Sequence, residues 1–313
     1  MQLFFVLSGF VFYYVYKERI SNREISSKDF FVARFSRLYP LHFVTLLFVT
    51  SLMLIGHVTV TPNAGNIMFV TNLYQFLFNV SLLHNIFGIG GINSPTWSLS
   101  IEIFAYFLFF VIAWNSKGKK FLFALPVVIG IILYNAKIDK VFILQQNYIR
   151  VLPGFFMGCL TYEVYKHCLR GILKTVSEIV CAFIVVVTII LAYISGVKYI
   201  GNNHIFYSLF LFPSLIITVL NTDFIRKFFE FKFFKWLGDL SFSIYLIHMG
   251  LLLSMHLVAW LAGIDASVFG SRKVFFGYIA VVLAVSHLSH YRFEMPLQKF
   301  IRDKYYAHSK KAT

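Results

Sequence analysis

Ser98, Glu102 and Tyr106 recur every four residues in the run from Asn93 to Phe107, so a helix there carries a hydroxyl, a carboxylate and a phenol on one face. The residues around them are apolar. A charged side chain at membrane depth costs roughly 3 kcal/mol on insertion scales, and such groups typically mark ion, proton or substrate handling. Two readings follow. The stripe is a reactive or ligand-binding face turned to a bundle interior, or Glu102 is a buried carboxylate that pins two helices together.

Other polar groups stand at helical spacing. Arg34 and Arg37 are three apart in Arg-Phe-Ser-Arg-Leu-Tyr-Pro, hence neighbours on one face. Guanidinium forks bind phosphate bidentately, which makes coenzyme A a natural ligand; the alternative is an ordinary basic helix flank. Ser241, Tyr245 and His248 form a second stripe, with a histidine that could take and return a proton near neutral pH or be a satisfied hydrogen-bonding residue. Arg150 opens Arg-Val-Leu-Pro-Gly, and a Glu102–Arg150 ion pair would solve the desolvation of both charges. Ser8-Gly9 inside an apolar helix reads as close helix packing. Glu294, two residues before Pro296, is expected to pair with a basic loop and end the last helix.

The elements that must position these groups are membrane helices. Hydrophobic residues make up 59% of the 313 and charged residues 13%, against roughly 25% charged in a soluble domain; mean hydropathy is +0.76. The chain is read as an all-α integral membrane protein, a helical bundle with nine apolar stretches near the ~20 residues that cross a bilayer. They lie at about 1–16, 38–56, 97–114, 121–135, 149–165, 178–196, 204–220, 238–260 and 274–296.

The net charge of +15 does not indicate nucleic acid, because the basic residues sit in short loops rather than on a continuous face. Alternate loops hold most of the 28 Lys and Arg, and the positive-inside rule assigns those loops to the cytoplasm, with a basic cytoplasmic tail over 297–313. Segment 57–96 has no charged residue. Counting its apolar part, 67–87, as a span would invert every later loop, so it is read as an interfacial or re-entrant helix on the outer face. Cys159, Cys168 and Cys181 show no metal-ligand spacing and read as buried small side chains. No P-loop, metal cluster or Gly-x-Ser-x-Gly elbow occurs.

Six short runs in one order resemble the acyltransferase-3 family of bacterial membrane O-acyltransferases. They are Phe-Phe-Val-Leu-Ser-Gly-Phe at 4–10, Arg-x-x-Arg-Leu-x-Pro at 34–40, Trp97-Ser98-Leu99 with Glu102, Arg150 with Leu152-Pro153 and Gly158, Tyr245-Leu246-Ile247-His248, and Glu294-x-Pro296. The resemblance covers essentially the whole chain, as a single domain. It implies a ten-helix bundle in the bacterial plasma membrane, with its C-terminus cytoplasmic. It also implies transfer of an acyl group, usually acetyl from acetyl-CoA, to a hydroxyl of a surface glycan or lipid-linked saccharide, with no permanently bound cofactor. Arg34 and Arg37 match the motif implicated in donor handling, and Glu102 matches the motif glutamate. Trp97, Ser98, Tyr106, Arg150 and Tyr245 are expected to line the acceptor.

One departure stands out. The family carries a helix before the Phe-Phe-Val-Leu-Ser-Gly run with an arginine and a histidine regarded as the catalytic base, and this sequence holds neither. The chain is expected to begin one helix late, through a downstream start site or a truncation. His248 is the intramembrane histidine left to act as base. The rival readings are an inactive remnant of such an enzyme and a transporter or flippase for lipid-linked sugars. The latter would be favoured by an inverted repeat with paired broken helices, which is not seen.

Overall fold

The computed structural model describes residues 1–59, 72–138, 140–141, 144–167, 171–195 and 204–311. Among them the regular structure is helical apart from one two-residue antiparallel pair, Lys140–Val141 (β1) with Leu144–Gln145 (β2). The helices are α1 (Gln2–Ser21), α2 (Ser27–Thr59), α3 (Leu73–Val80), α4 (Thr96–Asn115), α5 (Leu125–Asn135) and α6 (Gln146–His167). They continue with α7 (Gly171–Ser195), α8 (Phe212–Asn221), α9 (Asp223–Phe229), α10 (Lys232–Leu261), α11 (Arg272–Ser289) and α12 (Met295–Lys311).

All nine apolar stretches fall on helical segments, but length and composition qualify fewer of them as spans. Among the described residues four helices are long and apolar enough: Ser27–Gly56, Thr96–Asn115, Lys232–Leu261 and Arg272–Ala307. A fifth is added if Tyr207–Asn221 and Asp223–Phe229, bent by 93°, form one broken span. Two of the others fall short for local reasons. Lys17, Glu18 and Arg19 charge the end of α1, and Lys120–Asn135 is too short.

The chain divides into two compact units. One joins Met1–Ser26 to Ile101–Phe231, the other Ser27–Ser100 to Lys232–Thr313, and the division falls inside α4.

In the first unit α1 lies along α6 at backbone contact. A Cβ on Gly9 would sit 1.7 Å from the Phe155 carbonyl oxygen, and one on Gly158 would sit 1.9 Å from that of Val6. The Ser-Gly pair is therefore a packing device, as its small size implies. Phe12, Phe109 and Phe155 fill the space beside this crossing edge to face. At the far end of α6, Glu163 accepts from Tyr13 Oη at 2.8 Å and from Lys120 Nζ at 2.6 Å, tying α1, α6 and the turn before α5 together.

In the second unit α10 packs on α2, with Gly250 against the Phe48 ring and Leu46, Val49, Ile92 and Leu253 forming a buried cluster. The segment after α3 folds back through Asn79, which is fully buried. Asn79 Oδ1 accepts from the Ile92 N–H at 2.9 Å, Nδ2 donates to the Gly90 carbonyl at 3.1 Å, and its carbonyl accepts from His42 Nε2 at 2.9 Å. Of the apolar stretch 67–87, residues 67–71 lie outside the described residues.

The last helix departs from expectation. It does not end before Pro296: a π-helical turn, His290–Glu294, carries α11 directly into α12. In a π turn the hydrogen bonds reach one residue further than in an α-helix, so the N–H that Pro296 lacks falls where the α pattern is already interrupted. Glu294 pairs with no basic loop in the bonds seen here. It accepts the Ser243 hydroxyl and, at 3.1 Å, that of Ser289, with the His290 ring 3.7 Å away.

The α1–α6 contact yields a sharp test. A Gly9→Val or Gly158→Val substitution must push backbone from backbone, so its cost should exceed the 1–3 kcal/mol typical of an overpacked side chain, about 3 kcal/mol or more. Gly238→Ala, where a Cβ meets nothing within 4 Å, should be neutral or stabilising by up to about 1 kcal/mol. Thermal denaturation of the detergent-solubilised protein reads both.

Candidate functional site

Glu102 is held by two hydroxyls in the first unit. Ser8 Oγ donates to its Oε1 at 3.1 Å, and Tyr106 Oη, one helical turn on, donates to the same oxygen. Tyr106 is buried, its ring stacked on Phe12 with centroids 4.1 Å apart. Ser8 reaches Glu102 because Gly9 commits the neighbouring face of α1 to α6; one residue back, about 100° round the helix, the serine faces α4. The Arg150 side chain, the expected counter-charge, lies outside the described residues. The opposite face of α4 is inert: Phe104 and Leu108 border an apolar cavity of about 460 Å³ shared with Pro126 and Tyr148.

Ser98 belongs to a separate constellation in the second unit. Tyr245 Oη donates to the Pro95 carbonyl at 2.7 Å, and its oxygen lies 2.9 Å from Ser98 Oγ. Ser98 Oγ also donates to the Pro95 carbonyl, at 3.2 Å, so both hydroxyls converge on that oxygen. Asn93 Nδ2 donates to the Leu246 carbonyl at 2.9 Å, tying the start of α4 to α10. Trp97 is half-buried, and its carbonyl accepts from Asn85.

His248 stands one turn beyond Tyr245. Its Nδ1 lies 2.9 Å from the Tyr245 carbonyl and 3.1 Å from that of Ile244. Both neighbours only accept, so Nδ1 carries the proton and Nε2 presents a lone pair. Tyr278 Oη bonds the His248 carbonyl at 2.7 Å and fixes this turn from α11. Ser241 is half-buried, whereas Ser243 is the buried serine of the segment. Arg34 is half-buried and Arg37 exposed near the start of α2.

A profile described as an acyltransferase domain matches residues 1–290. The chain belongs to the acyltransferase-3 family. It is similar to the peptidoglycan O-acetyltransferase OatA of Listeria monocytogenes, 24% identical over 275 residues that cover 79% of this chain. The chain spans 44% of that relative's length. No solved structure matches it. Among the described residues, no group of three or more His, Cys, Asp or Glu could hold a metal ion.

Sequence reading of this acyltransferase-3 chain missed Ser8 as the partner of Glu102, although the serine stands in a quoted motif; only the helix crossing reveals the pairing. It also passed over His42 and His84, both fully buried. No spacing rule links them, because they meet through the fold-back at Asn79. His84 Nε2 lies 3.5 Å from Thr96 Oγ1, whose own proton goes to the Asn93 carbonyl at 2.7 Å. Burial, with the His42 imidazole adding to it, pushes the His84 ring down to about 4 from its ordinary 6.5.

His84 makes stability depend on acid. Its folded-state value is depressed, so in the unfolded chain the ring protonates first as pH falls. The contribution is complete above about pH 6.5 and is lost on descent through the window to about 4, at up to roughly 1.4 kcal/mol per pH unit. Thermal midpoints recorded between about pH 7 and pH 4.5 should fall for the wild type and fall less steeply for His84→Gln.

Proposed function

We propose that this chain is the membrane domain of an O-acyltransferase that moves an acyl group, acetyl by analogy with the relative, from acyl-CoA to a hydroxyl of a cell-surface carbohydrate. The observation that carries the reading is Glu102, a carboxylate in an apolar family-motif helix held by the Ser8 and Tyr106 hydroxyls. A carboxylate needed only to pin helices would be replaceable by an apolar pair at little cost. One fixed by two donors is set up to accept a hydrogen bond from a substrate hydroxyl in a defined direction.

The reaction needs a base on the acceptor hydroxyl. As the proton leaves, the oxygen attacks the thioester carbonyl, the C–S bond breaks and the thiolate departs with a proton. We assign the base to His248, since its Nδ1–H is spent on two carbonyls and its Nε2 is the proton-accepting atom. Ser98 and Tyr245 direct their protons inward and serve to shape the turn that carries His248. Arg34 and Arg37 take the donor's phosphates through guanidinium forks.

The same reading includes the topology. The nine helical stretches act as spans in a plasma membrane, the basic loops and C-terminus face the cytoplasm, and donor thioester arrives from that side. The uncharged segment, over its described part 72–96, is interfacial or re-entrant at the outer face, where the glycan is met; peptidoglycan is the acceptor suggested by the relative's name.

The test is O-acetyl content of surface glycan, released by mild base from cells that express the gene in a background lacking it. Glu102→Gln and His248→Gln should each lower acetylation by about 100-fold or more at equal protein level, the scale expected for a lost proton-transfer group. Wild-type acetylation in the Glu102→Gln strain would overturn the reading.

A further inference from the structure

We propose that Arg302, on the final helix, is a positioning residue for the donor-phosphate arginines Arg34 and Arg37; the proposal rests on the donor role given to those two residues above. Arg302 lies beyond the matched acyltransferase domain, which ends at residue 290. α12 packs on α2, and Arg302 makes two bonds to it. Nε donates to Ser36 Oγ at 3.2 Å and Nη2 donates to the Ala33 carbonyl at 3.1 Å. Ser36 Oγ in turn donates to the same carbonyl at 3.2 Å and is almost fully buried. The three groups form a closed ring.

That ring encloses the turn that bears Arg34 and Arg37, with Ser36 between them in sequence and Ala33 before them. The turn is the weak point of α2. Pro40 lies inside the helix and has no N–H, so the Ser36 carbonyl loses its i+4 donor and the helix is prone to kink there. Two long arginines on a kink-prone turn would lose conformational entropy on gripping a phosphorylated donor. A guanidinium that fixes both carbonyl and hydroxyl of that turn removes part of the loss before the donor arrives. The ligand class is a nucleotide thioester with at least two phosphate groups to engage two forks.

The experiment measures the Kd of coenzyme A for the purified full chain in nanodiscs, with thermal midpoints recorded in parallel. Arg34→Ala and Arg37→Ala should each raise Kd by about tenfold or more, the loss of a charge-assisted contact. Arg302→Ala should raise Kd about three- to tenfold, Ser36→Ala less, and Arg302→Lys should recover only part, since one ammonium cannot reproduce the fork. The decisive outcome is coupling. In an Arg34→Ala, Arg37→Ala background, Arg302→Ala should change Kd by less than about twofold. A purely structural role would lower the thermal midpoint in every background and leave the Kd of the folded fraction alone; that result overturns the proposal. If Arg302→Ala leaves Kd unchanged while the Arg34 and Arg37 variants weaken it, the positioning role fails and the donor reading stands. If the Arg34 and Arg37 variants bind coenzyme A normally, the donor reading fails and the proposal falls with it.

Discussion

A polar side chain inside an apolar helix has no water to turn to, so it must find its hydrogen-bond partner within the protein. That constraint organises both units. Glu102 takes the hydroxyls of Ser8 and Tyr106, Glu294 takes those of Ser243 and Ser289, and Tyr245 gives its proton to the Pro95 carbonyl. His248 is bound to carbonyls of its own helix. Each of these bonds joins the group to a hydroxyl or a backbone carbonyl and fixes its direction.

Close backbone contact makes the first of these pairings possible. Without a side chain on Gly9 or Gly158, α1 and α6 come near enough for the serine beside Gly9 to reach a third helix. Packing and hydrogen bonding are thus written into adjacent letters of one dipeptide, one to each residue.

Much of this was legible in the sequence. The apolar runs locate the long apolar helices among the described residues but not the polar final helix, the four-residue spacing puts Tyr106 on Glu102, and the uncharged stretch before Trp97 marks a segment unlike its neighbours. The rest depended on contacts distant in the chain. Ser8 and Glu102 are 94 residues apart, Ser243 and Glu294 are 51 apart, and His42 meets the Asn79 carbonyl across 37. Periodicity reports which face a residue occupies but not what stands opposite it. Pro296 misled for a different reason: proline breaks an α-helix, whereas here it follows a turn whose bonding pattern has already changed.

That π turn also sets the rotational phase of the last helix. One π turn holds about one residue more than the α turn it replaces, and each residue advances a helix by roughly 100°. A residue lost inside the π turn would be absorbed by its return to an α turn. Were a residue lost from the α-helical stretch between Met295 and Arg302, however, every side chain beyond would swing by that angle and Arg302 would leave Ser36. The length of the chain between the two ends of the last helix is therefore under as much constraint as its composition. A single-codon deletion there would disturb a site more than 250 residues upstream without altering any residue in it.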